Sequence, residues 1–198
     1  MPACPGCGLT LGSLDEVYGE SEVVLTRVVD PGGVFESGGV GSLESEVAVF
    51  ERSFPQAWMS VYAVSLGSAA ALRQFGFWLL NRATPATGGV MRPNENGVLL
   101  VVDVEARAVS ITIGYQLEPW LPEEVLAAVL AAGRRWFRKG RPAAGAAAVV
   151  QALAAALRAS LQAPPHEAIA ARSPLDGVPR LRGGRKKDDS TAGARHES

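Results

Sequence analysis

The chain is 198 residues long, 47% apolar, and carries a net charge of −1 with a pI near 6.2. That length and apolar fraction can fill one core of ordinary domain size. The near-zero charge argues against nucleic acid or an anionic membrane surface as the main partner, although the average can hide a local patch.

The first segment, residues 1–12, contains Cys4-Pro5-Gly6-Cys7-Gly8, which has the form of one knuckle of a zinc ribbon. A closed zinc site needs four ligands, and no second C-x-x-C follows. The only histidines, His166 and His196, lie in the polar C-terminal region. Three readings stay open for Cys4 and Cys7: a metal-free remnant, a zinc shared between two chains in a zinc-linked dimer, or a redox pair. Two cysteines this close form no disulfide framework, and the start has neither the basic nor the apolar region of a signal peptide. The expectation is a soluble, cytoplasmic protein.

Residues 20–161 read as an α/β domain. Glu22 to Val29 is expected to be a strand, ended by Asp30-Pro31-Gly32-Gly33, where the simplest role for Asp30 is to form the turn. Ser42 is the expected N-cap of a helix with Leu43, Val47, Phe50 and Phe54 on one face, ending before Pro55. Trp58 to Leu66 is apolar on both faces, as a central strand must be. A helix over Ser68 to Asn81 and a loop over Thr84 to Pro93 lead to a second strand, Gly97 to Val104, parallel to the first.

That second strand opens a β-hairpin. With Glu105-Ala106 as the turn, Val98, Leu100 and Val102 face Ile113, Ile111 and Val109, and a four-residue turn keeps the same faces together. Both registers bring Asn94–Gly97 close to Gly114–Gln116 at the open end. A helix from Pro122 to about Lys139 follows, with Leu126, Val129, Leu130 and Gly133 inward. It ends in the basic run Arg134 to Lys139, which with its aromatics could hold phosphate or nucleic acid, although cations there suit the helix dipole and that structural role is preferred. The last helix, Pro142 to Leu161, is alanine-rich, and its charge-free part is expected to be too short to span a bilayer. Residues 162–198 read as a disordered, mildly basic tail.

Val28-Val29-Asp30, Val61-Tyr62-Ala63-Val64, Asn96-Gly97-Val98-Leu99-Leu100-Val101-Val102 and Gly114-Tyr115-Gln116-Leu117-Glu118 resemble the TPM-domain family over about residues 22 to 160. The resemblance implies a three-layer α/β/α sandwich with a mixed, mostly parallel central sheet ending in a β-hairpin, which the pattern reading also reaches. It further implies acid-phosphatase activity and calcium binding in some members, and accessory roles in assembling or repairing complexes in others. This chain departs from the family pattern at Gln116, where glycine is usual, and at Glu95 and Glu123, where aspartates are common.

Two site placements follow. The open end offers Glu95, Asn96 and Glu123, joined by Asp30 if the N-terminal segment reaches there, as oxygen ligands for a divalent cation such as calcium or magnesium. The rule for open α/β sheets points instead to Ser65–Ser68, Asp103 and Asp30 beyond the parallel strand ends. The open end is preferred because it has more oxygen ligands and a helix N-terminus. The expected function is metal-dependent hydrolysis of phosphomonoesters, with a non-catalytic, ion-binding accessory module as the alternative. In that alternative the knuckle or the tail would dock a protein partner.

Overall fold

The computed structural model describes residues 10–86 and 92–162. Cys4, Cys7, both histidines and the tail after Gln162 lie outside the described residues. In chain order the elements are α1 (Leu11–Tyr18), β1 (Val23–Leu25), β2 (Val28–Val29), α2 (Gly39–Ser53), β3 (Trp58–Val64), α3 (Ala69–Arg82), β4 (Ala83–Pro85), a 3-10 turn (Asn94–Asn96), β5 (Gly97–Asp103), β6 (Ala108–Ile113), α4 (Glu123–Arg138) and α5 (Pro142–Gln162).

A four-stranded sheet of order β2-β3-β5-β6 forms the middle layer, with β2, β3 and β5 parallel and β6 antiparallel. Every residue of β5 is buried. Its Val98, Leu100 and Val102 enter a core with residues of α2, α4 and α5, while Leu99 and Val101 enter a second core with residues of α1 and α3. A strand covered on both faces has no polar side, which is why this segment reads as an unbroken apolar run. The two-residue-turn register is the one adopted, with Val98 opposite Ile113 and Val102 opposite Val109. Asp103 closes it, its Oδ1 accepting the N–H groups of Glu105 and Ala106, both at 3.0 Å.

Several elements differ from the pattern reading. The strand expected over Glu22 to Val29 is two strands, because β1 pairs with β4 in a separate two-stranded sheet while β2 joins the main one. The break is held locally: the Thr26 hydroxyl donates to Val28 O at 2.8 Å, and Ser60 Oγ donates to Thr26 O at 2.7 Å. Helix α2 begins at Gly39 behind Gly38, whose left-handed backbone (φ 75°) turns the chain, so Ser42 lies inside the helix. Pro122 is the N-cap of α4, not its first residue. Helix α5 continues to Gln162 and is long and apolar enough, by length and composition, to cross a membrane. In this fold its Ala146, Val149, Val150, Leu153 and Leu157 are core residues.

Helix α1, which the pattern reading lacked, docks on α3. Thr10 and Ser13 cap its start reciprocally. Leu14 enters the second core, and the Tyr18 ring packs 5.3 Å from both Phe75 and Trp78. Between these contacts Asp15 accepts from Trp78 Nε1 at 3.1 Å and from Arg82 Nε at 2.9 Å, and it also pairs with Arg82 Nη2. The Arg82 hydrogen bond holds the Asp15 carboxyl below the ordinary aspartate value. A lowered folded pKa contributes stability above the unfolded value, and that contribution is lost as the pH falls through the folded value. Melting temperature should therefore fall more steeply below about pH 4 for the wild type than for Asp15→Asn. Thermal melts followed by circular dichroism across the acid range check this, and parallel curves would show that the pair contributes nothing.

Candidate functional site

The open end of the hairpin is fixed by main-chain contacts. Gly114 N donates to Gly97 O at 2.8 Å and Gln116 N to Glu95 O at 3.1 Å. Asn94 Nδ2 donates to Ala83 O at 2.8 Å and Trp58 Nε1 to Pro93 O at 3.1 Å. A side chain at Gly114 would collide with the backbone carbonyls of Asn94 and Glu95, so only glycine permits this approach. The chain then turns through Leu117 N to Gly114 O (2.9 Å) and Leu121 N to Leu117 O (3.1 Å). Buried Leu121 anchors the entry to α4, whose N-terminus has no side-chain cap and carries Glu123 and Glu124 in its first turn.

On this frame Glu95 and Asn96 are half-buried and Glu123 is exposed. None of the three side chains has a hydrogen-bond or ion-pair partner among the described residues. The structure thus brings Glu95, Asn96 and Glu123 to one end of the sheet.

Asp30 is not with them. Because β2, β3 and β5 run the same way, Asp30 follows Val29 toward the end that holds Val64 and Asp103, about 17 Å along the sheet from Gly97. Its Oδ1 accepts from Val34 N at 2.9 Å and its Oδ2 from Phe35 N at 3.0 Å, which is the turn-forming role. Asp103 and Glu36 at that end are committed in the same manner, while exposed Glu105 is not. Asp103 Oδ2 takes Leu66 N at 3.1 Å. Glu36 accepts from Ala143 N at 2.9 Å and Ala144 N at 3.2 Å, which satisfies the N-terminus of α5. Partial burial pushes the Glu36 carboxyl up, but these two N–H groups and Arg141 outweigh it and leave it below the ordinary glutamate value.

Sequence reasoning missed Glu51, which is 4% exposed and lies between Arg27 Nε (2.9 Å) and Arg92 Nη1 (3.3 Å). A signal existed: Glu51 is four residues beyond Val47, on the apolar face of α2. The oxygens of Glu95, Asn96 and Glu123 suit a hard cation in chemistry, yet calcium takes about six to eight such ligands. Among the described residues no group of three or more His, Cys, Asp or Glu side chains gathers into a metal site. The donor set falls short of a closed cage.

Residues 28–156, which include both ends of the sheet just described, match the model of the TPM domain. The chain belongs to the TPM-domain family. The solution NMR structure of the N-terminal domain of a protein from P. gingivalis is 24% identical and has a TM-score of 0.55, covering 81% of this chain and 96% of that one. An NMR structure of a protein from the psychrophilic bacterium Bizionia argentinensis is 14% identical with a TM-score of 0.51, covering 66% and 86%. These two likenesses show that the TPM fold is shared. Among curated proteins none matches.

The weld at Gly114 is the part of this TPM domain that most constrains the open end. Gly114→Ala should destabilise the fold by about 1–3 kcal/mol through overpacking, read as a lower urea midpoint at unchanged slope. A midpoint equal to the wild type would mean that the hairpin and the Asn94–Asn96 turn separate without cost.

Proposed function

We propose that this TPM domain is a non-catalytic accessory module that holds a hard divalent cation weakly at its open end and docks a protein partner. The observation that carries the reading is the division of the carboxylates. Asp30, Glu36 and Asp103 are spent on backbone N–H groups, whereas Glu95 and Glu123 have no partner among the described residues. Two carboxylates and the Asn96 amide, with water completing the shell, suit calcium at a dissociation constant on the order of 10⁻⁴ to 10⁻³ M. Cys4 and Cys7, with a shared zinc, and the basic tail are the elements that would meet the partner.

A second reading, phosphomonoester hydrolysis, draws support from the uncapped N-terminus of α4, where N–H groups can face an anion. It asks more of the residues, since Glu123 and Glu124 there repel phosphate unless a cation lies between. One experiment separates the two. Calcium or magnesium added to the purified chain should shift amide resonances around Asn94–Gln116 and the start of α4, and the double variant Glu95→Gln/Glu123→Gln should abolish the shifts. A generic phosphomonoester should be hydrolysed no faster by the wild type than by that variant. Metal-dependent turnover lost in the variant would replace the accessory reading with the hydrolase one, and shifts that persist in the variant would move the ion elsewhere. Deleting residues 1–8 or the residues after 162 should release a partner that co-purifies with the full chain.

A further inference from the structure

The opposite end of α4 gathers positive charge. Arg134, Arg135, Arg138 and Lys139 are exposed on its last turns, and exposed Arg141 follows in the short link to α5. Three of these cations surround one ring: Arg135 lies 4.7 Å, Arg141 5.2 Å and Lys139 5.9 Å from the centroid of Trp136. The ring is half-buried, while its neighbour Phe137 packs against Gly133 and Gly145 and fixes the corner between the two helices. The pairing of charge is sparse. Of these five cations only Arg141 meets a carboxylate among the described residues, Glu36 at 4.0 Å.

A helix dipole accounts for part of this. It amounts to about half a negative charge at the C-terminus, and its influence fades beyond the last turn. Five cations exceed that need, and Arg134 with Arg138, and Arg135 with Lys139, are like-charge pairs at a spacing that disfavours the helix. The arrangement costs stability in the isolated domain, and an anionic surface would offset that cost.

We infer that this corner, built from the C-terminal turn of α4 and the link to α5, docks on a membrane that carries anionic phospholipid. Charge complementarity supplies the attraction. The residues at the tip, Arg138 to Arg141, are all exposed, so the cations can meet a flat surface together. A half-buried tryptophan among them has the amphipathic character found at the headgroup level. The acidic open end, with Glu95, Glu123 and Glu124, lies at the other end of α4 and would be held away from the surface. The inference is independent of whether the open end binds an ion.

Full-length protein should co-sediment with phosphatidylcholine vesicles only when they contain phosphatidylserine, and high salt should release it. Each cation near such a surface strengthens binding about fivefold, so Arg134→Gln/Arg135→Gln/Arg138→Gln/Lys139→Gln should weaken it by roughly 600-fold. The smaller variant Arg138→Gln/Lys139→Gln, which leaves most of the helix untouched, should weaken it roughly 25-fold. A variant with Arg182, Arg185, Lys186 and Lys187 of the tail changed to Gln should bind like the wild type. The inference is overturned by absence of binding to phosphatidylserine vesicles, by helix variants that bind as well as the wild type, or by loss confined to the tail variant. Displacement from vesicles by a single-stranded oligonucleotide that binds the same corner more tightly would assign the surface to nucleic acid instead.

Discussion

Strand β5 is the constraint from which the rest follows. It is hydrogen-bonded on both edges and buried at all seven positions, so neither face nor either flank is open to water. Each fully buried valine or leucine stabilises the fold by about 1.5–3 kcal/mol, and this gain requires helices on both sides. Its two ends also set the ends of the molecule. At Gly97 a Cβ would lie 2.5 Å from the Trp58 ring, so the strand starts hard against its neighbour. At Asp103 one carboxylate closes the hairpin and reaches across to Leu66, tying β5 to the exit of β3.

The two charged ends are what that geometry makes of a nearly neutral chain. Helix α4 spans them, with Glu123 and Glu124 in its first turn and Arg135 and Arg138 in its last. A net charge of −1 conceals this separation. Within each end the carboxylates divide according to the backbone around them. Where loops leave N–H groups without partners, as at Val34, Phe35, Leu66, Ala143 and Ala144, a side-chain oxygen fills the place. Where the backbone pairs with itself, as between Glu95 and Gln116, the side chains remain available.

The hairpin was legible in the sequence because alternation with period two survives any even change of turn length, so the facing residues did not depend on the turn chosen. The apolar face of α2 was legible from its helical spacing. The division of Glu22–Val29 was not, since an apolar run of that length looks the same whether it serves one sheet or two. Strand β4 was hidden because Ala83-Thr84-Pro85 has no apolar pattern of its own, and its pairing is imposed by β1. The position of Asp30 depended on the direction of β2, which a two-residue strand does not announce. Glu95, Asn96 and Glu123 could be assigned to one end of the sheet from the sequence because each is close to a strand or helix whose direction the hairpin fixes.

The buried glutamate beneath α2 bears on how sequences of this kind can diverge. Glu51 faces Arg27 from the break between β1 and β2 and Arg92 from the approach to β5, three segments far apart in the chain. The network is not saturated: among the described residues Glu51 Oε1 and Arg92 Nε have no hydrogen-bond partner. Removing Arg92 leaves the buried Glu51 carboxylate to the exposed Arg27 alone, at a cost of about 3–5 kcal/mol, whereas exchanging Glu51 and Arg92 together for apolar residues of similar volume is often tolerated. Drift at Glu51 or Arg92 alone is therefore disfavoured, and these two should be inherited together, either both charged or both apolar, whereas exposed Arg27 is freer to change. A relative carrying a mixed set would have had to rebuild the contact that holds the first strands to the second helix.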